Sequence, residues 1–337
     1  MPPPWMRRPV TVTVWLVLSV LFLALSPLLL LIGTLAAKLT GRSQPAILAH
    51  LIVAYFAREL AVTLACGALW VASAGGSRLG TERFQLLHWG LLRWFVHGIA
   101  DPVRSLLRVT LQEEPSSEAI EALQSTEPLI VLSRHAGPAD TLFLVDQLVS
   151  RFGRRPSIVF KQTLALDPGI DLIAHRLPHV VLDPEDTEGS EAQIEMVTSK
   201  LGSRGALLLF PEGGNFTPDR RRRAIRSLWR KGERQAARAA ERTSHVLPPR
   251  PSGAQAALRG RPRASVVFAA HTGLGLAAYP LELWRDAPIG RTLYTRMWLV
   301  PADEIPADCE QQTLWLNEWW TRIDYWIDEH RTEPRFS

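Results

Sequence analysis

"LIVLSRHAGPADTLFL", residues 129–144, is the stretch from which the rest of the chain is read. Leu129, Ile130, Val131 and Leu132 form a short unbroken apolar run, the pattern of a strand buried on both faces. The run leads into His135, passes a tight Gly137–Pro138 turn, and reaches Asp140 in the expected first turn of a following helix. In open α/β sheets, reactive side chains collect at the carboxyl ends of strands, which is where His135 would sit. A carboxylate at that spacing can accept one imidazole proton, fix the tautomer and leave the other nitrogen basic and outward-facing. Taken alone, the pair is weak evidence, and chance spacing with a structural hydrogen bond is the default reading.

Similar apolar runs recur along the chain. Candidate strands are 129–132, 157–160, 179–182, 206–210, 265–270 and 293–300, separated by stretches with helical spacing. Short β-branched runs with helical spacers predict an α/β fold: a mostly parallel central sheet flanked by helices, with an N-terminal membrane-associated helical segment. Three parts are expected: 1–76 as N-terminal membrane-associated helices, 77–310 as the α/β domain, and 311–337 as a C-terminal helix and tail. Leu316, Trp320, Ile323 and Ile327 fall on one stripe of that last helix and read as core.

The membrane expectation comes from Pro9 to Ala37, which contains no charge until Lys38. Roughly 20 apolar residues cross a bilayer, whereas a signal peptide's apolar region is about 7–15, so a retained segment is expected. Pro27 should kink or divide it. A second stretch, Ala46–Ala74, is interrupted by Arg58 and Glu59 and fits a surface-lying helix as well as a span. Arg7 and Arg8 precede the first segment, so the N-terminus, and with a hairpin everything after Gly75, is expected on the cytoplasmic side of the cell membrane.

The formal net charge is +5, favouring anionic partners: phosphorylated small molecules, anionic lipid or nucleic acid. Two cysteines, Cys66 and Cys309, give neither a disulfide framework nor zinc spacing. No metal is expected; His175, His179, His245 and His271 read as structural. In 219–242, Arg226, Arg230, Arg234, Arg238 and Arg242 recur every four residues, which would align them on one helix face. That face suits a solvated surface, a lipid or phosphate contact, or nucleic acid; no recognisable nucleic-acid module accompanies it.

Two further stretches carry chemistry. "LLLFPEGGNFTP", 207–218, runs a strand into a Pro211-Glu212-Gly213 turn, and "SHVLPPRPSG", 244–253, makes a proline-rich loop around Arg250. With His135-x4-Asp140 ahead of them, in this order and spacing, they resemble the glycerophospholipid acyltransferase family, which includes the lysophosphatidic acid acyltransferases. The resemblance spans roughly residues 85–305.

The resemblance implies a membrane-bound O-acyltransferase that moves a fatty acyl group from acyl-CoA or acyl carrier protein to a lysophospholipid or related glycerolipid. It makes His135 the general base and Asp140 its orienting acid, with no protein nucleophile. Pro211, Glu212 and Gly213 would hold the acceptor's hydroxyls; Lys161, in "VFKQTLALDPG", and Arg250 would serve as substrate contacts, Arg250 toward phosphate. No cofactor is implied beyond the acyl thioester co-substrate. The chain departs from many relatives at Gly214-Asn215, where threonine and arginine are usual, and at Asp183-Pro184, where Asp-Arg is usual. Arginine's planar fork suits phosphate, so these changes point away from plain lysophosphatidic acid as acceptor. The other class of reading is a non-catalytic lipid-binding or scaffold protein that keeps the fold.

Overall fold

The structure is a computed structural model that describes residues 3–114, 116–183, 186–273 and 289–330; the side chains of 138–140 and 161–163 also lie outside the description. Along the chain run α1 (Pro4–Ala24), α2 (Ser26–Thr40), α3 (Gln44–Ala72), α4 (Glu82–Leu106), β1 (Thr110–Glu113) and α5 (Ser117–Gln124). Then come β2 (Leu129–Ser133), α6 (Pro138–Asp146), β3 (Arg155–Lys161), α7 (Pro168–Ala174), β4 (His179–Leu182) and α8 (Thr187–Ser199). The remainder is β5 (Gly205–Leu209), α9 (Pro218–Arg230), α10 (Arg234–Arg242), α11 (Pro251–Gly260), β6 (Ser265–His271), β7 (Thr292–Val300) and α12 (Cys309–His330).

These elements cluster into two compact units: 1–109 with 160–185 and 280–290, and 110–159 with 186–279 and 291–337. The divisions fall elsewhere than at 76 and 310. Helix α4 belongs with α1–α3, and α12 packs on α10, α11 and β6.

In the first unit, α1 and α3 are each long and apolar enough to cross a membrane. The chain breaks between α1 and α2 at Leu25, just before Pro27, as the proline predicts. Helix α3 runs beside both. Gly33 lets α2 approach it, since a Cβ there would lie 2.8 Å from that of Ala49, and Phe22 stacks on Phe56 at 4.4 Å. Val10, Val14, Val17, Leu21, Leu28 and Leu35 face outward. Arg7 and Arg8 are not a free cationic flank: both pair with Asp171 at the α7 end, at 2.8 Å, and Asp171 is 1% exposed. Arg7 also donates to the Ala165 carbonyl, and Glu59 accepts the Gly169 N–H at 2.8 Å. A buried carboxylate needs such partners.

The second unit is built on β1, β7, β6, β2, β5 and most of β3, which hydrogen-bond in that order. Parallel pairing joins β1 to β7, β6 to β2, β2 to β5 and β5 to β3; β6 and β7 are antiparallel. The sheet is therefore mixed and mostly parallel. All of β2 and β5 is buried, as their continuous apolar runs require. On α12, Leu316, Trp320, Ile323 and Ile327 are buried, and Phe268 stacks on Trp319 at 4.4 Å.

The basic stretch departs from one expectation. It is not a single helix: Gly232, at φ 78°, and its neighbours end α9 and restart the chain as α10. Arg226 and Arg230 thus belong to one helix, and Arg234, Arg238 and Arg242 to another.

Candidate active site

The parallel register places Leu132 of β2 beside Leu209 of β5, so the loops leaving those strands start side by side. His135 and the Phe210–Thr217 turn emerge there. The two loops are tied by Phe216 N–H donating to the His135 carbonyl at 2.8 Å and His135 N–H donating to Glu212 Oε1 at 3.1 Å. The imidazole packs against the Phe210 ring at 4.6 Å, and Thr141 Oγ1 lies 3.3 Å from Nδ1. His135 is half-buried. Asp140 lies in the first turn of α6, as the spacing predicts; its side chain falls outside the described residues.

Glu212 is 3% exposed. Its second oxygen, Oε2, accepts the Leu247 N–H at 3.1 Å. Both carboxylate oxygens are thus engaged by backbone, one from the His135 loop and one from the proline-rich loop. Burial pushes this carboxyl up to about 7, opposed by the Arg134 charge and by the two N–H donors.

Pro211 is buried and its carbonyl accepts the Arg250 N–H at 2.9 Å. Gly213 has φ 66°, the left-handed region open to glycine, and a Cβ there would lie 3.4 Å from the Arg250 guanidinium. Pro211, Glu212, Gly213, Arg250 and His135 therefore gather at one set of strand ends. Arg250 itself is exposed. Lys161 closes β3 in the first unit, and its side chain is outside the described residues.

Sequence reasoning missed the group that holds this cluster. Arg134, 4% exposed, donates through Nε and Nη2 to the His245 carbonyl at 3.2 and 2.9 Å, and through Nη1 to the His271 carbonyl at 2.7 Å. The signal was an arginine at the end of a wholly buried strand, which demands internal acceptors. Asp324, far away on α12, accepts the N–H groups of Ser244 and His245 at 2.9 and 2.6 Å. His245 Nε2 lies 3.0 Å from Asp328, and His271 Nε2 lies 3.1 Å from the Arg134 carbonyl. Burial, with the Arg134 charge, pushes His271 down to about 3, a neutral imidazole serving as a packing group. Among the described residues, no three His, Cys, Asp or Glu side chains are grouped to hold a metal ion.

The cluster holds a half-buried histidine on a hydrogen-bonded backbone frame, and an imidazole can withdraw a proton from a hydroxyl presented to it. Residues 115–252 match the family model described as Acyltransferase. The chain is also similar in structure to a 1-acyl-sn-glycerophosphate (LPA) acyltransferase, PlsC, from Thermotoga maritima. The identity is 16%, the TM-score 0.49, and the match covers 83% of this chain and 100% of that one. No curated protein matches.

Proposed function

We propose that the chain, whose residues 115–252 match the Acyltransferase family model, is a membrane-bound enzyme that acylates the hydroxyl of a lysophospholipid or related glycerolipid. The donor is an acyl thioester, acyl-CoA or acyl carrier protein. His135 takes the hydroxyl proton; the oxygen forms a new bond to the thioester carbonyl carbon; the C–S bond breaks and the thiolate leaves with that proton. Asp140 orients the imidazole and balances its charge after proton transfer.

The observation that carries the reading is the placement of His135 at the carboxyl end of β2, with its backbone fixed by Glu212 and Phe216 and the residue only half-buried. Proximity and orientation are worth more to such a reaction than the base's strength, and a frame of buried hydrogen bonds supplies them. Glu212 then acts as a positioning residue, since its oxygens are committed to the protein's own N–H groups. Arg250, exposed beside Gly213, would offer its guanidinium to an acceptor phosphate or headgroup. Helices α1 and α3, with apolar side chains facing outward, keep the enzyme where donor chain and acceptor reside.

The test incubates membranes carrying the chain with labelled acyl-CoA or acyl carrier protein and a panel of lysolipids, reading products by mass. Incorporation is expected into a lysolipid, and His135→Ala should lower it by ~10²–10⁴-fold. Undiminished transfer in that variant would remove the base. No incorporation with any acceptor and either donor would favour a lipid-binding protein without catalysis.

A further inference from the structure

Residues 218–242 hold ten of the chain's 38 arginines and lysines and three of its 33 acidic residues, a local net charge of +7 against +5 for the whole chain. All of the molecule's positive excess therefore resides in α9 and α10. Three of the carboxylate-free contacts in this pair serve its own architecture: Arg221 donates to the Ala240 and Glu241 carbonyls at 3.0 and 3.1 Å, and Arg220 to that of Asn215 at 3.0 Å. Among the described residues, the ion pair within it joins Arg222 to Asp219. Arg226, Arg230, Arg234, Arg238 and Arg242 are exposed and, among the described residues, join none of the ion pairs of this helix pair. Among them sits Trp229, 40% exposed, its indole N–H held by Glu241 at 2.8 Å.

We infer that the α9–α10 pair is a docking face for an anionic lipid surface, which holds the reaction loops against the bilayer that supplies the acceptor. This rests on the proposed membrane location. A single phosphate would call for convergent donors in a pocket; here the cations are spread over two helices joined at Gly232 and face solvent. A field of anionic headgroups matches that spread, and each basic residue near such a surface gains ~1 kcal/mol. An exposed tryptophan among the cations suits the headgroup zone, where its ring is apolar and its N–H remains bonded. The pair is also stiffly joined to the site: α9 begins directly after the Phe210–Thr217 turn, and α10 leads directly to the loop that Arg134, Glu212 and Asp324 secure.

Trypsin reads this face directly, because it cuts after arginine. The full chain is placed in nanodiscs of neutral phosphatidylcholine or of the same lipid with about one-third phosphatidylglycerol, and cleavage within 222–242 is followed by mass spectrometry. Anionic lipid is expected to slow those cuts at least about tenfold, and about 0.5 M salt to abolish the protection by screening. A variant carrying R226Q, R230Q, R234Q and R238Q should lose protection at the remaining sites while its acyl transfer in detergent stays intact. Equal cleavage in both discs overturns the inference. So does protection in neutral discs that requires added acyl carrier protein or duplex DNA, since either would make a different macromolecule the occupant. If the chain does not embed in neutral discs, the anchoring reading fails instead. Anionic vesicles added to the free chain then decide the docking face: absence of protection there overturns it, and protection supports it.

Discussion

Glu212 Oε1 accepts the backbone N–H of His135 at 3.1 Å, so the proposed base is held by a buried carboxylate that never needs to meet the substrate. The same carboxylate holds Leu247, which makes it a staple between two loops. Replacing it tests that role.

Glu212→Gln keeps the shape but turns an amide NH2 toward one of the two N–H donors. The expected cost is ~1–3 kcal/mol of stability and a ~10–100-fold lower kcat with KM little changed, because the base is displaced rather than removed. The pH profile separates the charge from the shape. With the folded carboxyl raised to about 7 from 4.5, the native state holds a proton that the unfolded chain releases. Wild-type stability should therefore fall as pH rises from about 4.5 to 7 and level off above, while Glu212→Gln lacks that slope. Urea midpoints across the range check both.

Arg134→Lys keeps the charge and loses the fork. One ammonium cannot reproduce bonds to both the His245 and His271 carbonyls, so buried acceptors lose partners. A loss of ~1–3 kcal/mol is expected. If the role is positioning, kcat falls while acyl-CoA binding, measured on the same preparation, stays near wild type.

Asp324→Ala releases the N–H groups of Ser244 and His245. Since Glu212 still holds Leu247, the loop should loosen without unfolding. Faster hydrogen exchange at 243–249 and a raised acceptor KM are expected, with a stability cost of ~1–3 kcal/mol. Combined with Glu212→Gln, the loss should exceed the sum of the two, as both hold one loop.

Asp171→Asn tests the first unit. Burial alone would raise the Asp171 carboxyl, but hydrogen bonds and charge from His175 and Arg8 hold it well below the usual range. Its stabilisation is present above the unfolded carboxylate range and lost as pH falls toward the folded value. The variant should lose ~3–5 kcal/mol, because Arg7 is left buried without its counter-ion. Increased protease cutting after Arg7 and Arg8 in detergent, at neutral pH, is the readout.

Much of this was legible in the chain. The apolar runs at 129–132, 206–210 and 265–270 marked strands to within a residue at each end, because strands buried on both faces cannot hide their composition. Strand β1, "TLQE", was not found: it lies at the sheet's edge, alternates exposed and half-buried residues, and has no apolar run. The reaction loops were recognised by motif, yet motif spacing said nothing about which oxygen met which N–H. The motif alone marks Glu212 as a substrate contact and carries no sign of the two backbone N–H groups that its oxygens accept. Asp324 carried no local signal at all, since its partners lie about 80 positions earlier. The helix break at Gly232 was masked by an arginine period that continued unchanged across it.

Asp324 also sets an order of assembly. By Val300 a growing polypeptide already contains all seven strands, but the acid that captures Ser244 and His245 has yet to be made. During synthesis the strands can consequently pair first, and α12 arrives afterwards with the acid that fastens the Ser244–His245 backbone.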